Sequence, residues 1–200
     1  MDQPTLIVIG GANGSGKTTL AREYISVEGL DYLGADQIAF ELNPDDVESV
    51  AIEAGRLFIR KIAETIENRE SFIVESTLSG LSLRKWIKVA REAGFSIRVA
   101  FVYLDSPDLC IQRVSARVSR GGHHVPDEDI LRRYSRSNLN FWDCYKNLAD
   151  EWKLYNNTGD DVIPVALGSG NRIQVEDSGR FEKWLKMVTE TTEVGTETES

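Results

Sequence analysis

The stretch Gly10-Gly11-Ala12-Asn13-Gly14-Ser15-Gly16-Lys17-Thr18-Thr19 constrains the fold more than any other part of the chain. The apolar residues Leu6, Ile7, Val8 and Ile9 precede it, and the helix-compatible run Leu20-Ala21-Arg22-Glu23-Tyr24 follows. That order is strand, glycine-rich turn, helix, with Gly11, Gly16, Lys17 and Thr18 filling the pattern G-x-x-x-x-G-K-[ST]. Glycines let backbone N–H groups curl around an anion without Cβ clashes. The positive end of the following helix then faces the phosphates. Lys17 reaches the β- and γ-phosphates, and the Thr18 hydroxyl is placed for Mg²⁺. Residues 11–19, with Ala12, Asn13, Gly14, Ser15 and Thr19 among them, are therefore candidate nucleotide contacts. An ordinary glycine-rich turn leaves the Lys-Thr pair unexplained.

Two hundred residues fit one α/β domain, expected over residues 1–188, followed by an acidic, disordered tail over 189–200. With 23 basic and 32 acidic residues the net charge is −9. No global positive field attracts a polyanion, which argues against nucleic-acid or membrane partners. Cys110 and Cys144 have neither C-x-x-C nor metal spacing and read as free thiols of a reducing compartment. The chain enters a strand almost at once, and no apolar run approaches ~18 residues, so the expected location is cytoplasmic.

Strands alternate with helices along the chain, implying an α/β, doubly wound, mainly parallel sheet of the P-loop NTPase type. Five core strands are expected in the order 2-3-1-4-5, ahead of a C-terminal hairpin turning at residues 168–171. Asn43-Pro44-Asp45-Asp46 reads as a helix start, with Asn43 as cap and Pro44 in the first turn. That helix is expected to run to about Asn68. Another helix opens at Ser106-Pro107 and breaks at Gly121-Gly122-His123-His124, and a single helix is expected from Asp127 to Asn147.

Arg113, Arg117, Arg120, Arg132, Arg133 and Arg136 crowd around that Gly-Gly break, a lid over about residues 113–136. The first three share one helical face. Guanidinium groups suit phosphoryl oxygens because they donate in a planar fork and stay charged. Arg113, Arg117 and Arg133 are assigned to nucleotide binding, and Arg117 and Arg120 to stabilising the transferring phosphoryl group. The competing reading is a solvated basic face paired with Asp127, Glu128 and Asp129, with Arg136 its first candidate. His123 and His124 lack metal-ligand partners, and one of them is expected to order the lid turn.

In open α/β sheets the chemistry lies beyond the carboxyl ends of the strands, where Asp36, Glu75 and Asp105 fall. A kinase needs a carboxylate to orient or deprotonate the acceptor hydroxyl, and often another to hold Mg²⁺. Asp36 is the candidate base, with a helix N-cap as its alternative. Glu75 is assigned to metal and substrate, with a solvent-facing strand end as its alternative. Thr77 is a candidate substrate contact, and Asp105, directly before the capping Ser106, reads as structural.

The phosphate loop, Ala35-Asp36-Gln37-Ile38 and Val74-Glu75-Ser76-Thr77-Leu78-Ser79-Gly80 together resemble the zeta-toxin family of P-loop kinases, particularly its short members. So do Val102-Tyr103-Leu104-Asp105-Ser106-Pro107 and the stretch from Arg117 through Gly121-Gly122-His123-His124-Val125-Pro126 to Arg132-Arg133-Tyr134. The resemblance runs to about Asn157, where Tyr155-Asn156-Asn157-Thr158 departs from the family's Asp-Asn-Ser. It implies MgATP-dependent phosphorylation of a sugar hydroxyl, with UDP-N-acetylglucosamine the toxins' substrate and an antitoxin protein as a partner. In that reading Asp36 is the base, Lys17 and the lid arginines clamp the phosphates, and Thr18 binds the metal. Two other readings stay open: a kinase of another small metabolite, and a non-catalytic nucleotide-binding regulatory module.

Overall fold

The computed structural model describes residues 3–122, 124–170 and 172–196. Strand β1 (Thr5–Gly10) lies between β3 (Phe72–Ser76) and β4 (Ser96–Tyr103); β2 (Asp31–Gly34) lies outside β3, and β5 (Glu151–Asn156) outside β4. These five strands are parallel, in the expected order 2-3-1-4-5. The hairpin β6 (Ile163–Ser169) and β7 (Arg172–Val175) continues the same sheet antiparallel, giving seven strands.

The unbroken apolar run of β1 follows from burial on both faces. Leu6 and Val8 pack with Ile62 and Ile66 of α3 (Ala51–Glu67), Ile87 of α4 (Leu83–Glu92) and Trp184 of α8 (Ser178–Thr196). Ile7 and Ile9 point the other way, onto Leu20 and Ala21 of α1 (Lys17–Glu28). Beyond the strand ends, α5 (Pro107–Val118) and α6 (Asp127–Asn140) close a third cluster, in which Cys110, Val114, Ile130 and Tyr134 pack with Ala12 of the phosphate loop. Helix α5 opens as its sequence demands, with Ser106 Oγ accepting from the Leu109 amide and Pro107 in the first turn.

Three elements depart from the sequence reading. Helix α2 (Ala35–Leu42) ends at Asn43, and α3 starts only at Ala51. Asn43 caps a turn rather than a helix: its Oδ1 accepts from the Asp45 and Asp46 amides, and Asp46 Oδ1 accepts from the Ser49 amide. These side chains offer the backbone a local alternative to helix and win over residues 43–50. Second, the helix expected over 127–147 passes through a π-helical turn, Phe141–Tyr145, before the short α7 (Lys146–Leu148). Such a turn brings residues five apart onto one side of the helix. Asn140 and Tyr145 accordingly donate to the Leu78 and Gly80 carbonyls, at 2.9 and 2.6 Å. Third, α8 continues to Thr196, through part of the stretch expected to be disordered; residues 197–200 lie outside the described residues.

Candidate active site

The loop between β1 and α1 wraps on itself, with the Ser15 amide donating to the Ala12 carbonyl and the Thr19 and Leu20 amides to the Gly16 carbonyl. Gly16 has φ 101°, a left-handed conformation that disfavours any side chain, and a Cβ there would run into Asn157 Nδ2. That contact matters because Asn157 Nδ2 donates to the Ser15 carbonyl at 2.8 Å, tying the loop to the end of β5. Lys17 is buried, and its ammonium rests on the Ala12 carbonyl at 2.9 Å. Ser15 Oγ is fully buried inside the loop with no hydrogen-bond partner among the described residues.

A cavity of about 620 Å³ opens over this loop and is lined by Asn13, Gly14, Gly16, Lys17, Thr18 and Thr19. Asp36 of α2, Glu75 of β3, and Arg113 and Arg117 of α5 reach it from three other elements. The cavity thus brings together the loop, two of the three strand-end carboxylates and two lid arginines. Gly11, Ala12 and Ser15 belong to the loop but do not line the space.

Asp36 is the second residue of α2, whose N-cap is Gly34, so the cap alternative does not hold. Among the described residues its carboxylate forms no hydrogen bond or ion pair, and it faces the cavity. Glu75 is not a solvent-facing strand end either. Its Oε1 accepts from Thr18 Oγ1 at 3.2 Å, and its Oε2 from the Tyr32 hydroxyl at 2.7 Å. Burial, then the Glu75 carboxylate, pushes the Tyr32 hydroxyl far above its ordinary pKa, so Tyr32 remains a donor. Thr77 does not line the cavity; its hydroxyl pairs with Ser79 Oγ at 2.9 Å.

The arginines divide by role. Arg113 is half-buried and donates to the Asn157 carbonyl at 2.7 Å. Arg117 lines the main cavity and an outer one of about 410 Å³, which it shares with Arg120. Arg120 does not line the main cavity. Arg133 holds the loop from outside, donating to Asn13 Oδ1 at 3.1 Å. The surface pairing expected of Arg136 falls instead on Arg132 and Arg133, which share Asp129 at 2.5 and 3.1 Å. Gly121 and Gly122 form the stop of α5: the Gly122 amide donates to Arg117 O and the Gly121 amide to Val118 O, with Gly121 at φ 85°. His124 is exposed, and His123 lies outside the described residues.

Asp105 is structural. Asn156 Nδ2 and Lys183 Nζ both donate to it at 2.7 Å. Burial raises its carboxyl, but the hydrogen bonds from Lys183 and Asn156 outweigh that and hold it below the usual carboxylate range.

A family model, AAA_33, described as an AAA domain, matches residues 6–137, from β1 into α6. The chain belongs to that family. An uncharacterized protein of Haemophilus influenzae (strain ATCC 51907 / DSM 11121 / KW20 / Rd) is 34% identical over 124 residues, 62% of this chain and 88% of that protein. Among solved structures, the AvrRxo1-ORF1:AvrRxo1-ORF2 complex with ATP aligns at TM-score 0.72 and 18% identity, over 90% of this chain and 63% of that one. The PezAT chromosomal toxin-antitoxin system of Streptococcus pneumoniae aligns at TM-score 0.62 and 17% identity, over 96% of this chain and 89% of that one. At these identities the structural likeness establishes the fold alone, an α/β fold with a mostly parallel central sheet. Among the described residues no helix is long and apolar enough to cross a membrane.

Proposed function

We propose that this AAA_33 domain is an ATP-dependent small-molecule kinase of zeta-toxin type, transferring the γ-phosphoryl group to a hydroxyl of a sugar or sugar nucleotide. One observation carries the reading: Asp36, with no partner of its own among the described residues, faces the same cavity as Lys17 and Arg117. A base, a phosphate clamp and a charge-stabilising guanidinium are the parts phosphoryl transfer needs within reach of one another. A binding module without an acceptor gives no account of the carboxylate.

The loop amides and the N-terminus of α1 cradle the β- and γ-phosphates of ATP. Lys17 leaves the Ala12 carbonyl for a phosphate oxygen. The Thr18 hydroxyl and the Glu75 carboxylate, already hydrogen-bonded to each other, are the hard oxygen donors that fit Mg²⁺ at this position. Held by these two side chains, the ion would supply positive charge to offset the charge of the phosphate oxygens. Asp36 accepts the acceptor's hydroxyl proton as its oxygen bonds to the γ-phosphorus. The bond from that phosphorus to the bridging oxygen breaks, and ADP departs. Arg117, with Arg120 behind it, stabilises the negative charge on the transferring group. The PezAT likeness and the family resemblance support a toxin-like setting with a protein partner, and the likeness to the AvrRxo1-ORF1:AvrRxo1-ORF2 structure with ATP supports the donor.

The test is ADP release across a panel of sugars, sugar nucleotides, sugar acids and nucleosides. The proposal expects release above the no-acceptor rate with at least one of them, lost in Asp36→Asn. Acceptor-dependent turnover that survives Asp36→Asn removes the base assignment.

A further inference from the structure

A second pocket, of about 250 Å³, lies where α2 meets α3, separate from the phosphate loop. Ala35, Ala39, Ala51 and Ala54 line it, with Phe40 and Val47. Four alanines at a helix–helix contact leave space that larger side chains would fill. The other side of the pocket is made by the turn that replaces the expected helix start. Asn43, Asp46 and Ser49 hold residues 43–50 away from helical geometry, and so place Val47 and Glu48 at the pocket. A local departure from the pattern that the sequence favours is where function is expected.

Asp36, Phe40 and Arg117 line this pocket and the main cavity alike. A molecule seated among the alanines therefore presents its hydroxyl at Asp36, facing the phosphoryl group. Charge then narrows its chemistry. Between Arg22 and Arg56 the chain has no Lys, Arg or His. Over the same span Glu41, Asp45, Asp46, Glu48 and Glu53 are exposed, and Glu48 lines the pocket. Arg117 is the one cation in this pocket's lining and sits where the pocket joins the donor side, whereas Asp36 and Glu48 line it and the exposed acids of residues 41–53 surround it. Away from Arg117, a phosphorylated or carboxylated acceptor therefore meets repulsion that a neutral or amine-bearing one does not.

We infer that the pocket between α2 and α3 is the acceptor subsite, and that it takes a compact, non-anionic alcohol with an apolar face. This rests on the kinase reading above and narrows it, away from nucleoside diphosphate sugars and toward uncharged or amine-bearing alcohols. Ala51 and Ala54 set the size limit, and Glu48 sets the charge preference.

Pairs of acceptors that keep the same primary hydroxyl and differ in charge test it: phenylalaninol against tropate, and uridine against uridine 3′-phosphate, with UDP-N-acetylglucosamine added. Binding is followed by ligand-observed NMR in the presence of MgADP, and turnover by ADP release from MgATP. The expected result is saturable binding of phenylalaninol or uridine, with kcat/KM at least about tenfold above the charged partner. Ala51→Leu should raise the KM of that acceptor about tenfold or more. Glu48→Lys should narrow or reverse the charge preference. Ile52→Ser, one residue along and 75% exposed, is the control that should leave both unchanged. Preference for the anionic members, no saturable binding of either non-anionic compound, or an unchanged KM in Ala51→Leu overturns the inference. Calorimetry with MgATP on the same protein separates the two failures: if MgATP binds, only the acceptor assignment falls, and if it does not, the kinase reading falls with it.

Discussion

The Tyr32 hydroxyl donates to Glu75 Oε2 at 2.7 Å across the β2–β3 ladder, and Gly34 is what lets it reach. Gly34 pairs with Glu75 in register, and a Cβ on it would stand 2.7 Å from the Tyr32 oxygen. With Oε2 held by Tyr32, Glu75 presents Oε1 to Thr18. Tyr32 is thus a positioning residue for the proposed metal site.

Tyr32→Phe removes that donor and keeps the ring. Losing an outer partner of a metal-binding carboxylate weakens metal affinity by about tenfold or more. The Mg²⁺ concentration giving half-maximal ADP release should rise by about that factor, with saturating rates less affected. An unchanged Mg²⁺ dependence removes Glu75 from the metal site.

Asn157→Ala removes the bond to the Ser15 carbonyl and leaves a buried acceptor unsatisfied, a loss of about 1–3 kcal/mol. The melting temperature should fall by several degrees and ATP affinity should weaken with it. Gly16→Ala alone should cost more, because its Cβ meets the Asn157 amide. In the Asn157→Ala background that added cost should shrink, leaving the strain of φ 101°. Additive losses in the double mutant contradict the contact.

The lid assignments predict different kinetics for two arginines. Arg117→Ala should slow phosphoryl transfer by about 10²-fold with ATP binding hurt less. Arg133→Ala, which loosens Asn13 from outside the cavity, should raise the KM for ATP more than it lowers kcat. Single-turnover rates alongside binding curves separate the two.

Asp105 gives a pH signature. Its carboxyl is held below its unfolded value, so the unfolded chain binds the proton more readily and stability rises with pH through that window. The contribution is complete above the unfolded pKa of about 3.9 and fades as pH falls below it. Asp105→Asn should therefore be less stable than the parent in urea at pH 7, with the gap narrowing by pH 3. A gap that stays constant with pH points to packing instead of charge.

What the sequence revealed follows from how local each cause is. The β1–loop–α1 unit was legible because Gly16, Lys17 and Thr18 act on neighbours within a few residues. Asp36 could be placed because the strand it follows ends beside the loop. Tyr32 and Asn157 were missed because their partners, Glu75 and Ser15, are brought close only by strand pairing. A strand running out into Asn156-Asn157 carried a signal, since buried amides need partners, but it did not say which. The place of Thr77 outside the cavity has a related cause: the segment after β3 is fixed by Asn140 and Tyr145, on either side of a π turn that periodicity does not reveal. Asn43 carried a cap signal that served a turn, and the small pocket beside α2 depends on that outcome.

The proposed function requires a triphosphate held by the β1–α1 loop under Lys17, ready to pass on its terminal phosphoryl group. Isothermal titration of MgATP into the parent chain and into Lys17→Ala tests it most directly. Saturable binding at one site per chain is expected, with at least about tenfold weaker binding in Lys17→Ala. No heat of binding from folded parent protein, or equal affinity in the two chains, contradicts it.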